Sequence, residues 1–183
     1  MKRSTVVIVA ILTILALSGI TYAITSLFFK SPTQTSDYTQ GVYFEFDMSD
    51  AFVDSGEVKI GESMSINPVI SSNSSVDMYA FIRVDMPVYN DAGLYTLTPS
   101  SGWSVQESGV QGDRWVAVYR YDSVLASDAS TTALSSALTM TEMSRTDYGQ
   151  LSDFNVSMTG YACGTEDLEI DGAWEAISQN YGV

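Results

Sequence analysis

Two groups of carboxylates have the residue types and spacing that could do chemistry. Asp47, Asp50, Asp54 and Glu57 form one, and Glu166, Asp167, Glu169 and Asp171 the other. Ca²⁺ takes six to eight oxygen ligands, which loop carboxylates and carbonyls can supply. Neither group follows the D-x-[DN]-x-[DN]-G order of an EF-hand loop, and both also read as solvated loop acids. The first group is kept as a candidate Ca²⁺ site; no other cofactor is implied. Nucleophilic chemistry has little to work with. The chain has no histidine, which removes His-based triads, HExxH zinc sites and imidazole acid–base catalysis. It has no G-x-S-x-G elbow and no GxxxxGK[ST] or GxGxxG phosphate loop. A Ser–Lys arrangement in the folded part would have to use Lys59. The chain therefore reads as a non-enzyme.

The single cysteine, Cys163, rules out an intrachain disulfide. The fold must hold by its core even in an oxidising compartment. Cys163 reads first as a small buried apolar residue, and second as a partner in an intermolecular disulfide. Asn73-Ser74-Ser75 and Asn155-Val156-Ser157 match the glycosylation sequon, a short pattern that also arises by chance. Tyr43, Tyr79, Phe81, Tyr119 and Tyr121 read as a second packed face, or as an exposed binding stripe.

The N-terminus decides where any of this operates. Lys2 and Arg3 precede 26 uncharged residues, Ser4 to Phe29, and Lys30 closes the run. The positive end stays inside and the remainder is threaded across the membrane. Two readings fit. Residues 1–23 make a signal peptide, with Val6 to Leu17 as its apolar region and Thr21-Tyr22-Ala23 as its small-residue cleavage site, cut between Ala23 and Ile24. Alternatively, residues 4–29 stay as an anchor, roughly 39 Å long as a helix and able to span a bilayer. Ser18-Gly19 favours cleavage; Ile24, Leu27, Phe28 and Phe29 favour an anchor. Either way the protein is secreted or displayed on the cell surface. Signal peptidase is then one partner, and the membrane is met only through the N-terminal segment.

The part after Lys30 has five basic residues against all 22 acids. Such a surface repels nucleic acid and anionic headgroups, and attracts cations or basic partners. At about 150 residues this part is the size of one domain. Residues 24–40 read as a flexible arm, polar from Ser31 onward, and residues 41–183 as the domain.

Within that domain the hydrophobic period is two. Val42, Phe44, Phe46 and Met48 share one face of a first strand. Glu57 to Ile66 is a second candidate. Met78, Ala80, Ile82, Val84 and Met86 alternate with Tyr79, Phe81, Arg83 and Asp85, and Pro87 is expected to end that ladder. Leu94–Leu97, Trp103–Gln106, Arg114–Tyr121, Leu138–Met143 and Phe154–Cys163 follow, with Ser127–Ser136 as a loop. A short helix closes the chain, with Asp171 as its cap and Trp174 and Ile177 facing the core. Many short strands with almost no helix predict an all-β, antiparallel sandwich with a short C-terminal helix, although periodicity alone does not separate a sandwich from a closed barrel.

The run Gly61-Glu62-Ser63-Met64-Ser65-Ile66-Asn67-Pro68-Val69-Ile70-Ser71-Ser72-Asn73-Ser74, leading into Met78-Tyr79-Ala80-Phe81-Ile82-Arg83-Val84, resembles a segment of the TasA/camelysin family of Gram-positive surface proteins. The Trp115–Tyr121 strand, the Leu125–Leu138 loop, Gly160-Tyr161-Ala162 and Ala173-Trp174 fall in the same order, so the likeness spans most of residues 41–178. It implies a jelly-roll sandwich, a SipW-type signal peptide, and assembly into biofilm-matrix fibres. It also implies that an N-terminal segment of one subunit completes a sheet of the next. Here that donor would be Ile24 to Tyr38, which lacks a clean period of two. The cleavage region departs from the family pattern, with Gly19-Ile20-Thr21-Tyr22-Ala23-Ile24 in place of G-T-x-A and an aromatic. The protease activity attached to the camelysin name finds no support in a chain without histidine. The sequence thus points to an exported structural subunit of a biofilm matrix or surface fibre, self-associating or joining related subunits by β-strand addition. The alternative is a membrane-anchored monomeric surface module for binding or adhesion.

Overall fold

The computed structural model describes residues 28–30, 34–37, 43–49, 60–151, 154–165 and 169–181. The strands are β1 (Phe28–Lys30), β2 (Gln34–Asp37), β3 (Tyr43–Met48), β4 (Ser63–Ser65), β5 (Ile70–Ser72), β6 (Met78–Tyr89), β7 (Ala92–Gly93), β8 (Tyr95–Leu97), β9 (Trp103–Gln111), β10 (Arg114–Tyr121), β11 (Ala137–Met140) and β12 (Ser157–Gly164). The helices are α1 (Arg145–Tyr148) and α2 (Ile170–Tyr181). The architecture is an antiparallel β-sandwich with a short C-terminal helix, as the strand spacing predicts.

One layer is a six-stranded sheet in the order β1-β12-β6-β10-β9, with β7 paired to β6. The facing layer is built from β4-β11-β8 and β2-β3-β5. These two small sheets are joined by residues 66–72 running beside residues 129–136. The bonds are Ile66 N–H to the Ser136 carbonyl (3.2 Å), Leu134 N–H to Pro68 (2.9 Å), Thr131 N–H to Ile70 (2.9 Å) and Ser72 N–H to Ala129 (2.8 Å). The Thr131 hydroxyl takes the Ile70 N–H at 3.0 Å. The Ser/Thr-rich stretch expected as a loop is thus irregular backbone that holds the layer together. Hydroxyls supply bonds that a regular ladder would otherwise make, and Leu134 is fully buried.

The alternation in β6 places Met78, Ala80, Ile82, Val84 and Met86 in the core between the layers, all 0 % exposed. Phe46, Ile70, Leu94, Ala117, Tyr119, Leu138, Met140 and Ala162 complete that core. The opposite face of β6 is also covered. Tyr79 and Phe81 join Val118, Tyr161 and Cys163 beneath Ala173, Trp174 and Ile177 of α2. The expected pair Trp174 and Ile177 therefore does dock, on the outer face of the large sheet. Helix α2 begins one residue before Asp171, which sits in its first turn and is not its cap. The Glu169 carbonyl takes the first helical N–H groups, from Gly172 and Ala173.

Pro87 does not end its strand, because β6 continues to Tyr89. The Pro87 carbonyl accepts from Leu94 N–H at 2.8 Å. The N–H and C=O of one strand residue point to the same side. The donor that proline lacks would therefore face the side where β12 has already stopped, at Ser157 opposite Asp85. Other limits shift too. The 57–66 candidate yields β4 and a bridge residue at Ile66, β11 stops at Met140, and β12 starts at Ser157. α1 falls where no element is expected, with Ser144 Oγ accepting the Asp147 N–H at 3.1 Å.

Candidate functional site: the edges of the sandwich

The carboxylate groups do not assemble into a metal centre among the described residues. Asp47 lies exposed on β3, paired with Ser71. Its expected companions Asp50, Asp54 and Glu57 lie outside the described residues, as does Lys59. In the second group Glu166 and Asp167 also lie outside them. Asp171 is engaged by Arg120, whose guanidinium donates to Oδ1 at 2.5 Å. The cleavage residues Ala23 and Ile24 and the whole 1–23 segment lie outside the described residues too. Among the described residues no helix is long and apolar enough to cross a membrane.

Cys163 is buried, and burial pushes its thiol up from 9.0 to about 12. A thiol held neutral and covered is a poor partner for an intermolecular disulfide. Of the aromatic stripe, the side chain of Tyr43 lies outside what the structure describes. Tyr79, Phe81 and Tyr119 are buried, and Tyr121 packs half-buried against Trp103 with ring centroids 5.3 Å apart. These are packed faces. Asn73 and Asn155, the sequon residues, are exposed.

What the fold does expose is main chain at the margins of both layers. On one side the margins are formed by the N-terminal segment. β1 lies along β12, with Phe28 opposite Cys163, Phe29 opposite Ala162 and Lys30 opposite Tyr161. β2 lies along β3, from Gln34 opposite Phe46 to Asp37 opposite Tyr43. The 24–40 stretch read as a flexible arm thus carries two strands, and each is the outermost strand of a different layer. Polar composition hid β2, and Phe28 and Phe29 of β1 read as the end of the apolar N-terminal run. Neither strand alternates, because an edge strand needs main-chain pairing more than an apolar face.

On the opposite side the margins are β8 in one layer and β9 in the other. A cleft of about 450 Å³ opens between β8 and β10, lined by Tyr89, Tyr95, Leu97, Trp115, Tyr119 and Thr141 among others. β9 and β10 form a hairpin turned by Gly112-Asp113. Gly112 has φ +65, a left-handed value that glycine adopts without strain. The ladder slips by one residue between Val118 and Tyr119 of β10, which leaves Gln106 of β9 as the extra residue of a bulge. Arg120 lies 3.4 Å from the Gln106 side-chain oxygen, as donor. Bulges are one of the devices that blunt sheet edges.

Comparison with protein-family models, characterised proteins and solved structures gives no match to this chain.

Proposed function

We propose that this protein is an exported, extracellular structural subunit of a biofilm matrix or surface fibre, and that it assembles by β-strand addition. One observation carries the reading. A single short N-terminal segment supplies the outermost strand of both layers, as three residues on β12 and four on β3. The same ladders form if that segment comes from a neighbouring copy, so exchange loses no native pairing. The body of the domain keeps its own long ladders, such as the eight-residue pairing of β12 with β6. The uncharged N-terminal run, the acid surplus and the resemblance to the TasA/camelysin family support export and assembly.

The test is a chain lacking residues 24–40. It should stay folded and monomeric while the parent forms high-mass species. A peptide covering residues 24–40 should then bind the shortened chain. Polymers that persist without the segment would refute strand donation. A parent that is monomeric, with an intact N-terminus and extracted only by detergent, would put the anchored surface module in its place.

A further inference from the structure

We infer that β9 is a homotypic docking edge, through which two copies pair antiparallel about a twofold axis at Ser108. The inference stands apart from the N-terminal segment, which lies on the other side of the sandwich. β9 ends the large sheet, and its outer side has no strand partner among the described residues. It is nine residues long with one charged side chain, Glu107, and neither lysine nor proline. In a chain of formal net charge −14 a long edge with a single charge is one that a second copy can approach with little repulsion. An edge offers alternating N–H and C=O groups that only another extended main chain satisfies in series.

The side chains of β9 select which strand. Cross-strand partners on β10 fix the faces. Trp103, Val105, Ser108 and Val110 oppose Tyr121, Tyr119, Ala117 and Trp115, on the core side of the sheet. Ser104, Glu107, Gly109 and Gln111 oppose Arg120, Val118, Val116 and Arg114, on the outer side. With the bulge residue Gln106 set aside, this order is symmetric about Ser108. Antiparallel self-pairing there puts each Val105 against the other copy's Val110. It puts Glu107 against Gly109, Ser104 against Gln111 and Ser108 against itself. Every pair shares a face and no like charges stand directly opposite; the two Glu107 residues are diagonal neighbours, about 7–8 Å apart.

Two features fit that register. Val105 and Val110 are among the few large apolar side chains left exposed, at 53 % and 48 %. Each would be covered by the other. Gly109 has open space above it, since a Cβ there would touch nothing within 4 Å. It borders a shallow depression of about 180 Å³ lined in part by Glu107 itself, so the opposing Glu107 has steric room there and its carboxylate must point away from its twin, into solvent.

The test uses the full chain with Ser108→Cys. Opposed residues of an antiparallel pair lie about 4.5–5.5 Å apart at Cα, within the span of a disulfide. The expected result on mild oxidation is a covalent dimer on a denaturing, non-reducing gel. Ser104→Cys is the control, because the two Ser104 residues would be separated by about 20 Å along the paired strands. Buried Cys163 does not compete. Adding Val110→Lys to Ser108→Cys should slow cross-linking roughly tenfold, by losing both valine pairs. Cross-linking of Ser108→Cys no faster than that of Ser104→Cys would overturn the inference. So would cross-linking that Val110→Lys leaves unchanged, and either result would point to a different occupant such as a neighbour's N-terminal segment.

Discussion

The indole of Trp174 stands edge-on to the ring of Tyr161, with centroids 5.6 Å apart and planes 83° apart. It also meets Phe81 at 5.5 Å. The closing helix is therefore rooted on β12 and β6. β12 is also the strand along which β1 lies, so the helix braces the strand that holds the N-terminal segment.

Trp174→Ala should accordingly be among the most destabilising single changes, at about 3–5 kcal/mol. It empties the centre of the smaller core. The urea midpoint of the variant, compared with that of the parent, measures the loss. A loss of a few tenths would mean that the helix is not seated there.

Gly93 is the second sensitive point. A Cβ at this position would lie 2.5 Å from Met86 Sδ, 3.1 Å from Trp115 and 3.1 Å from the Tyr95 carbonyl oxygen. The sulfur can swing aside, but the backbone oxygen and the packed indole give little. Gly93→Ala should cost about 1–3 kcal/mol through overpacking. Thermal unfolding would show it, and an unchanged midpoint would contradict this packing.

Stability should fall in alkaline solution. Burial raises Cys163 from 9.0 to about 12, and it also raises Tyr119 and Tyr161. In the unfolded chain each group returns to its ordinary value. Above that value the unfolded state releases protons that the folded state keeps, which favours unfolding. The Cys163 contribution is whole below pH 9.0 and is lost as the pH rises from 9.0 towards 12. Denaturant midpoints on either side of pH 9.0 test this. Cys163→Ala should flatten the slope, leaving the part due to the tyrosines.

The Arg120–Asp171 pair should matter much less. The Asp171 side chain is 83 % exposed, and pairs so open to water contribute about 1 kcal/mol or less. Asp171→Asn should move the urea midpoint slightly, by an amount that shrinks with added salt. Arg120→Ala should cost more, since Arg120 also reaches Gln106 and Asp122.

Local patterning made much of the fold legible. The period of two in Met78–Met86 marked the central strand and named the residues that fill the core, because only one register buries that face. Arg114–Tyr121 was readable for the same reason, and the i, i+3 spacing of Trp174 and Ile177 announced the docked helix. The absence of histidine and the single cysteine limited the chemistry before any geometry was known.

Neighbours decided the rest. Pro87 is tolerated because β12 has ended beside it. The 129–136 stretch works as structure because Pro68 and Ile70 lie alongside. The N-terminal strands have no alternation to betray them, since main-chain bonding to β12 and β3 creates them. The symmetry of β9 about Ser108 is invisible in sequence. It arises once pairing with β10 sets Gln106 aside and fixes which side chains share a face. Periodicity is a property of one segment, whereas an edge is defined by which segments lie beside it, and that depends on the whole sheet.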